Sequence, residues 1–196
     1  MKHSSALGFL SEAIAKLEAQ GLLRTPPPAA DDLADGFCSN DYLGLARSLP
    51  HTADAALGAT ASRLVCGTFR AHEDLERALA AMLGLPAALA FTSGYAANVG
   101  LVTALVQPGD QVVSDALVHA SLIDGIRLTK AEVDVVPHLD VEATRRALRR
   151  PVAGRRWVIT ESYFSMDADS PDLRALRAVC DEAGAALLVD EAHALG

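Results

Sequence analysis

The chain has 196 residues, of which 51% are hydrophobic and 21% charged, a balance typical of a globular protein with a core. Its formal net charge is -8, and no segment interleaves Lys or Arg with aromatic residues, so we expect no nucleic-acid partner. Three widely separated cysteines without a CxxC motif indicate neither a disulfide framework nor a zinc site. We expect no metal and reduced thiols in the cytoplasm.

The N-terminal segment predicts an amphipathic helix. Apolar residues recur at helical spacing at Leu7, Leu10, Ile14 and Leu17. This segment lacks the continuous apolar region of a signal peptide, and no stretch of the chain approaches the ~20 apolar residues that a membrane span needs. We therefore expect no membrane partner. Residues 25–35, TPPPAADDLAD, contain three prolines and predict a linker after the helix.

The rest of the chain alternates helical and strand patterns. The pattern predicts helices at 72–83, 95–106, 119–129, 141–149 and 171–183, and strands at 87–91, 111–114, 132–136, 156–160 and 185–189. Strands that are apolar along their length and separated by amphipathic helices indicate parallel βαβ units with both sheet faces covered. The predicted fold class is α/β, a mostly parallel sheet sandwiched by helices, with an N-terminal helical arm.

Such sheets bind ligands beyond the carboxyl ends of their strands, so the polar residues after each strand are the candidates for a site. They are Thr92, Ser93 and Gly94, then 115–119, 161–169 and 190–193. In FTSGYAAN, at 91–98, the free N–H groups of a helix start can hold a phosphate, although Ser before Gly is also ordinary capping. The stretch matches neither GxSxG nor a P-loop.

Asp190 ends a predicted interior strand, where an unpaired carboxylate is costly to bury. Two interpretations stay open: Asp190 caps a helix that begins at Glu191, or it holds the protonated nitrogen of a heteroaromatic cofactor. His193 shares the site if the backbone turns helically, and His119 opens a helix at the same edge. The letters DEAH at 190–193 also occur in helicases, but a phosphate-binding loop with its lysine is missing.

Six segments together resemble one family. They are SNDYLGL (39–45), ASRLVCGTFRAHEDLE (61–76), FTSGYAAN (91–98), SDALVHASLIDG (114–125), TESYFSMDADSPDL (160–173) and VDEAHALG (189–196). In this order they resemble the α-oxoamine synthases, pyridoxal-phosphate enzymes of fold type I with an aspartate-aminotransferase-like large domain.

The resemblance implies an acyltransferase that uses pyridoxal 5′-phosphate to condense an amino acid with an acyl thioester and release carbon dioxide. The ASRLV and DEAHALG wording favours members that join L-alanine to a pimeloyl thioester, on CoA or an acyl carrier protein, in biotin biosynthesis. It also implies a cytoplasmic homodimer. Two alternatives stay open: a glycine- or serine-using member, or a non-catalytic truncated fold that acts as an assembly partner.

The resemblance also implies roles around the cofactor. The amides of Gly94 and Tyr95, which follow Ser93, resemble the phosphate cradle. His119 resembles the histidine stacked on the pyridine ring and a substrate contact. Asp190 resembles the carboxylate paired with the pyridine nitrogen, which strengthens the electron sink that carbanion chemistry needs.

Further roles are implied on the same motifs. Ser165 and His193 resemble residues near the phenolic oxygen of the ring, and Glu161 is expected among the cofactor contacts. Asn40 lies where the family contacts substrate across the subunit interface, and Arg24 resembles an N-terminal arginine that meets the acyl substrate. The residues expected to be catalytic are His119, Asp190 and His193.

Two departures from the family pattern are visible. The stretch between 45 and 58 is shorter than in family members, so a helix there is expected to be clipped. The Schiff-base lysine of the family lies beyond His193, and Lys2, Lys16 and Lys130 do not match it. We therefore expect a helix and linker at 1–35, an incomplete large domain at 36–196, an absent small C-terminal domain, and a fragment inactive alone.

Overall fold

The computed structural model describes residues 9–25, 43 and 61–195. The chain divides into two compact units, 1–58 and 59–196, which are treated separately. In the first unit, helix α1 spans Phe9–Ala19, which confirms the predicted N-terminal helix. None of its residues is buried, and Ile14 on the predicted apolar face is 50% exposed. The predicted linker lies outside the described residues except for its first position.

The second unit alternates helices and strands as predicted. Its elements are α2 (Arg70–Leu83), α3 (Gly94–Leu105), β1 (Gln111–Asp115), α4 (Ala120–Thr129), β2 (Glu132–Val136), α5 (Val141–Leu148), β3 (Arg156–Glu161), α6 (Leu173–Ala183) and β4 (Ala186–Asp190). The strands form one parallel sheet in the order β2-β1-β3-β4. The chain thus reverses its direction of travel between β1 and β3, the place where parallel sheets open a ligand crevice.

Helices cover both faces of the sheet. Successive strand residues point to opposite faces, so Val112 packs with residues of α3 and α4, while Val113 packs with residues of α5 and α6. Both valines are fully buried. This arrangement confirms the predicted α/β sandwich.

Helices α3 and α4 approach each other closely because Gly125 has no side chain. A Cβ at Gly125 would lie 3.1 Å from Cβ of Val102 and 3.4 Å from the carbonyl oxygen of Asn98. Val102 is fully buried, so it has little room to retreat. The close approach brings Asn98 beside Ser121 on the facing helix.

The predicted strand at 87–91 is wrong. This segment is not a strand, and side chains bond both backbone groups of Ala90 within it. Glu76 accepts the amide hydrogen of Ala90 at 2.7 Å, and Arg63 donates to the carbonyl oxygen of Ala90 at 3.3 Å. Arg63 also binds both carboxylate oxygens of Glu76. The hydrogen bonds from Arg63 and then Ala90 lower the pKa of Glu76 to about 2.

The prediction of a sheet covered on both faces does not hold for β2. In the described part of the chain β2 is an edge strand, and Val133 and Val135 are 44% and 67% exposed. The fully buried strand is β1, which lies inside the sheet. β2 has the sequence EVDVV, and its two acidic residues agree with the edge position.

Candidate functional site

An open cleft of about 420 Å³ lies where β1, β3 and β4 end. Predicted site residues from four separate segments line it: Gly94, Tyr95, His119, Glu161, Ser165, Asp190 and His193. Ser93 directly precedes them on the chain as the cap of α3. Arg24 is exposed in the first unit, and Asn40 lies outside the described residues.

The N-terminus of α3 opens at this cleft. Ser93 caps the helix: its Oγ accepts the amide hydrogen of Ala96 at 3.1 Å, and its carbonyl oxygen accepts that of Ala97 at 3.0 Å. Gly94 and Tyr95 are the first two residues of α3, so their amides have no acceptor within the helix, and both residues line the cleft. Such a helix start suits an anion. The capping and the phosphate interpretations of this stretch are therefore compatible.

The hydroxyl of Tyr95 is committed to the neighbouring helix. It donates to Oδ2 of Asp124 at 2.6 Å. This hydrogen bond, helped by burial, raises the pKa of Tyr95. The side chain therefore links α3 to α4 and leaves the backbone of Tyr95 for a ligand.

Asp190 is held by two donors at the end of β4. Its Oδ1 accepts the amide hydrogen of Ala192 at 2.9 Å, and its Oδ2 accepts from Nδ2 of Asn98 at 2.7 Å. The backbone turns after Asp190, with the amide of Ala194 bound to the carbonyl oxygen of Glu191 at 3.1 Å. The cap-like contact and the cleft position thus occur together, and the turn brings His193 to the cleft.

His119 is fixed by its own helix. It caps α4, and its Nδ1 accepts the amide hydrogen of Ser121 at 3.2 Å and lies 2.7 Å from Ser121 Oγ. A backbone amide can only donate, so Nδ1 is an acceptor and the proton of the neutral ring sits on Nε2. The His119 amide donates to Oε1 of Glu161 at 2.6 Å, which ties α4 to the end of β3.

A chain of hydrogen bonds joins the two predicted cofactor contacts. Nδ2 of Asn98 donates both to Asp190 and to Oγ of Ser121, the latter at 3.0 Å, and Ser121 contacts His119. Sequence reasoning missed Asn98 and Ser121. The available signal was a polar side chain on each of two facing helices, at positions that would otherwise be buried among apolar residues.

Glu161 adds negative charge to the cleft. Burial, the largest effect, raises its pKa, and the nearby Asp190 carboxylate acts in the same direction. The His119 amide and the two cleft histidines oppose this shift without cancelling it. A cleft with two close carboxylates favours a ligand that brings a positively charged group.

Two wider searches cover only the described ranges. Within residues 9–25, 43 and 61–195, no group of three or more His, Cys, Asp or Glu residues could hold a metal ion. In the same ranges, no helix combines the length and the apolar character that crossing a membrane requires.

Known proteins resemble this chain in sequence. The family model for aminotransferase class I and II matches residues 36–196. The 8-amino-7-oxononanoate synthase of Mycolicibacterium smegmatis is 47% identical over 203 residues, which cover 98% of this chain and 52% of that protein. The protein of the same name from Nitrosomonas europaea is 43% identical over 208 residues, covering 97% and 54%.

Solved structures show the same fold. Serine palmitoyltransferase from Sphingomonas wittichii matches with a TM-score of 0.74 and 29% identity, over 100% of this chain and 54% of that one. A structure of SPT with PLP matches with a TM-score of 0.68 and 37% identity, over 70% of this chain and 35% of that one. The 8-amino-7-oxononanoate synthase of Francisella tularensis matches with a TM-score of 0.57 and 26% identity.

The chain spans about half the length of the curated relatives it matches. The family model nevertheless covers the sheet, its helices and the whole cleft. The chain therefore belongs to the aminotransferase class I and II family.

Proposed function

We propose that this cleft binds pyridoxal 5′-phosphate and belongs to an enzyme of the 8-amino-7-oxononanoate synthase type. The observation that carries the proposal is the Asp190 carboxylate, fixed by Asn98 and Ala192 in a cleft that His119 also lines. Relatives named 8-amino-7-oxononanoate synthase and a solved structure of SPT with PLP support it.

The residues present fit this cofactor by their chemistry. The volume of about 420 Å³ falls within the range of roughly 300–1,000 Å³ usual for small-molecule sites. The Asp190 carboxylate suits a protonated ring nitrogen, and the amides of Gly94 and Tyr95 suit the phosphate. When bound, the cofactor supplies an electron sink that stabilises negative charge on the substrate Cα.

The side chains of the cleft have distinct tasks in this proposal. Asp190 keeps the proton on the ring nitrogen by its charge. His119 presents a flat imidazole for stacking, with Nε2–H as its free donor because Nδ1 is engaged within α4. Ser165 and His193 orient the phenolic oxygen of the ring, and Glu161 fixes the start of α4 through the His119 amide.

For the whole protein we propose decarboxylative condensation of L-alanine with a pimeloyl thioester, on CoA or an acyl carrier protein, to give 8-amino-7-oxononanoate in biotin biosynthesis. Identity of 47% to the Mycolicibacterium smegmatis synthase, over 98% of this chain, supports this choice within the family. In the proposal the protein is a cytoplasmic homodimer, with Arg24 and Asn40 as substrate contacts.

The lysine that bonds to the cofactor is a separate part of the proposal. Lys130 follows α4 in the left-handed conformation, at the opposite end of this 10-residue helix from His119. Because a helix rises 1.5 Å per residue, that is about 15 Å along the axis. We propose that residues 36–196 form part of the large domain and that a segment outside 1–196 supplies the lysine.

A substrate panel tests the activity. The gene product that carries this chain is loaded with pyridoxal 5′-phosphate and offered L-alanine, glycine or L-serine with pimeloyl or shorter acyl thioesters, and released carbon dioxide and thiol are measured. We expect turnover of L-alanine with the pimeloyl thioester. A preference for glycine or serine would indicate another α-oxoamine synthase. Absence of turnover with every pair would favour the non-catalytic assembly partner.

A further inference from the structure

A half-buried histidine outside the cleft, His138, lies after β2 and joins the end of β1 to the loop after β3. We propose that His138, as an imidazolium, is a positioning residue that fixes the cleft wall. The wall is the segment 164–167, whose residues all line the cleft. The statement that this wall contacts a cofactor rests on the proposed function. The statement that His138 orders the wall is independent of it.

Both ring nitrogens of His138 face carboxylates. Nδ1 lies 2.9 Å from Oδ1 of Asp115, which ends β1. Nε2 lies 3.1 Å and 3.2 Å from the two carboxylate oxygens of Asp169, in the loop after β3. The three side chains are 21%, 8% and 37% exposed, in the order His138, Asp115, Asp169.

This arrangement determines the protonation of His138. An ionised carboxylate can only accept hydrogen bonds, so both ring nitrogens must donate, and only the imidazolium can donate from both. Burial alone would lower the pKa of His138, but the hydrogen bonds and charges of Asp115 and then Asp169 outweigh burial and raise it. Asp140, on the same loop as His138, instead caps α5 through the Ala143 amide.

Each partner of His138 holds backbone. Asp115 accepts the amide hydrogens of Leu117 and Leu139 at 2.8 and 2.9 Å, and Leu117 lines the cleft. The carbonyl oxygen of Asp169 accepts the amide hydrogen of Phe164 at 2.9 Å. The His138 imidazolium therefore fixes, through Asp115 and Asp169, the backbone of two loops that border the cleft.

Phe164 connects the histidine to the wall directly. Its ring meets the His138 ring edge-on, with centroids 4.4 Å apart and planes at 89°, and it is 2% exposed. Ser165, which the proposed function places near the phenolic oxygen, is the next residue. A shift of Phe164 would therefore move Ser165.

Two strained residues adjoin the same cluster. Leu139 follows His138 with a φ of 59°, and Ala168 precedes Asp169 with a φ of 57°. Side chains other than glycine disfavour this left-handed region, and such residues persist where surrounding contacts hold them. The hydrogen bonds of Asp115 to Leu139 and of Phe164 to Ala168, at 2.9 and 2.8 Å, supply those contacts.

The pH dependence follows from the raised pKa. A group whose pKa is higher in the folded state stabilises that state fully below the unfolded value, about 6.5 for histidine, and loses the effect as pH rises through the folded value. The order of the wall should therefore be complete below about pH 6.5 and decrease as the pH rises through the raised pKa of His138.

The experiment combines NMR titration of His138 with hydrogen exchange of the segment 162–170 in the cofactor-free chain. The variants are His138→Gln and Asp169→Asn, with Asp167→Asn as the control that removes a carboxylate from the same loop. We expect His138 to titrate above the ordinary histidine range. Exchange protection at Phe164 and Ala168 should fall at least tenfold as pH passes that value.

The variants separate the possible outcomes. His138→Gln should show low protection at every pH, Asp169→Asn should lower the pKa of His138, and Asp167→Asn should behave as the parent. If His138→Gln does not fold, Asp169→Asn provides the same test. Titration of His138 at or below the ordinary range, or protection that ignores both variants, would overturn the inference. If the wall is ordered but pyridoxamine 5′-phosphate does not bind in the cleft, the result would count against the proposed function and leave the role of His138 intact.

Discussion

Asn98 on α3 donates a hydrogen bond from Nδ2 to Oδ2 of Asp190, at 2.7 Å and across 92 residues of sequence. Because a carboxylate can only accept, the amide nitrogen must face Asp190, and the second hydrogen of that nitrogen is directed to Ser121. One side chain thus orients the carboxylate of the cleft and, through Ser121, the imidazole of His119.

Removing this amide should weaken ligand binding. In Asn98→Ala, Oδ2 of Asp190 loses its donor, and hydrogen bonds to charged groups contribute about 1.5–3 kcal/mol, or roughly 10- to 100-fold in affinity. We expect a loss of that order for pyridoxamine 5′-phosphate, measured by calorimetry. Thr103→Ala is the control on the same helix, since the Thr103 hydroxyl bonds only to helix carbonyls among its described partners. Equal affinities in the two variants would contradict the role of Asn98.

Neutralising Glu161 should stabilise the cofactor-free chain at neutral pH. Burial raises the pKa of Glu161, so its charged form is disfavoured in the fold and its stabilising contribution is lost as pH rises. Glu161→Gln keeps an oxygen for the His119 amide. We expect the melting temperature of the variant to exceed that of the parent more at pH 8 than at pH 5. A parent that gains stability with pH relative to Glu161→Gln would refute the argument.

The ion pair between Arg63 and Glu76 should contribute more to the stability of the fold than an exposed ion pair on the same helix. The pKa of Glu76 is lowered to about 2, so its contribution is present above the unfolded value of about 4.3 and lost as pH falls towards 2. Glu76→Gln should lower the melting temperature at pH 7, and the deficit should shrink at pH 3.5. Asp74→Asn breaks the exposed pair with Arg77 and should cost little. Similar losses of melting temperature in the two variants would contradict a larger contribution from the Arg63–Glu76 pair.

Two glycines should respond differently to a methyl group. A Cβ at Gly125 would lie 3.1 Å from the buried Val102, whereas at Gly100 it would lie 3.3 Å from the ring of Phe91, which is 46% exposed and can turn away. Overpacking costs about 1–3 kcal/mol, against a gain of about 1 kcal/mol in helix propensity. Urea unfolding should show Gly125→Ala destabilised and Gly100→Ala unchanged or stabilised. The reverse order would mean that α3 and α4 can separate.

Much of the fold is readable from the sequence because each element obeys local rules. Asp140 and Asp172 cap α5 and α6, and Gly84 and Gly184 end α2 and α6 in the left-handed conformation. The strand predicted at 87–91 is wrong. Within this segment Arg63 and Glu76 bond the backbone of Ala90, and an apolar run gives no sign of these non-local contacts.

Part of the candidate site could likewise be predicted from the sequence, and part could not. Asp190, His119 and His193 are found by their places after strands, since parallel strands end at one edge. Asn98 and His138 could not be found from the sequence, because their partners Asp190 and Asp169 lie 92 and 31 residues away and only the fold brings them together.

The most direct measurement is calorimetric titration of the chain with pyridoxamine 5′-phosphate, which carries the ring nitrogen and phosphate of the cofactor but has no aldehyde to react with surface lysines. The comparison is between the parent, Asp190→Ala and the exposed control Asp74→Asn, which lies on α2 and is not among the residues that line the cleft. We predict saturable binding at one site per chain, retained in Asp74→Asn and weakened at least tenfold in Asp190→Ala. Absence of binding to the parent, or equal affinity in Asp190→Ala, would contradict a cofactor bed centred on Asp190.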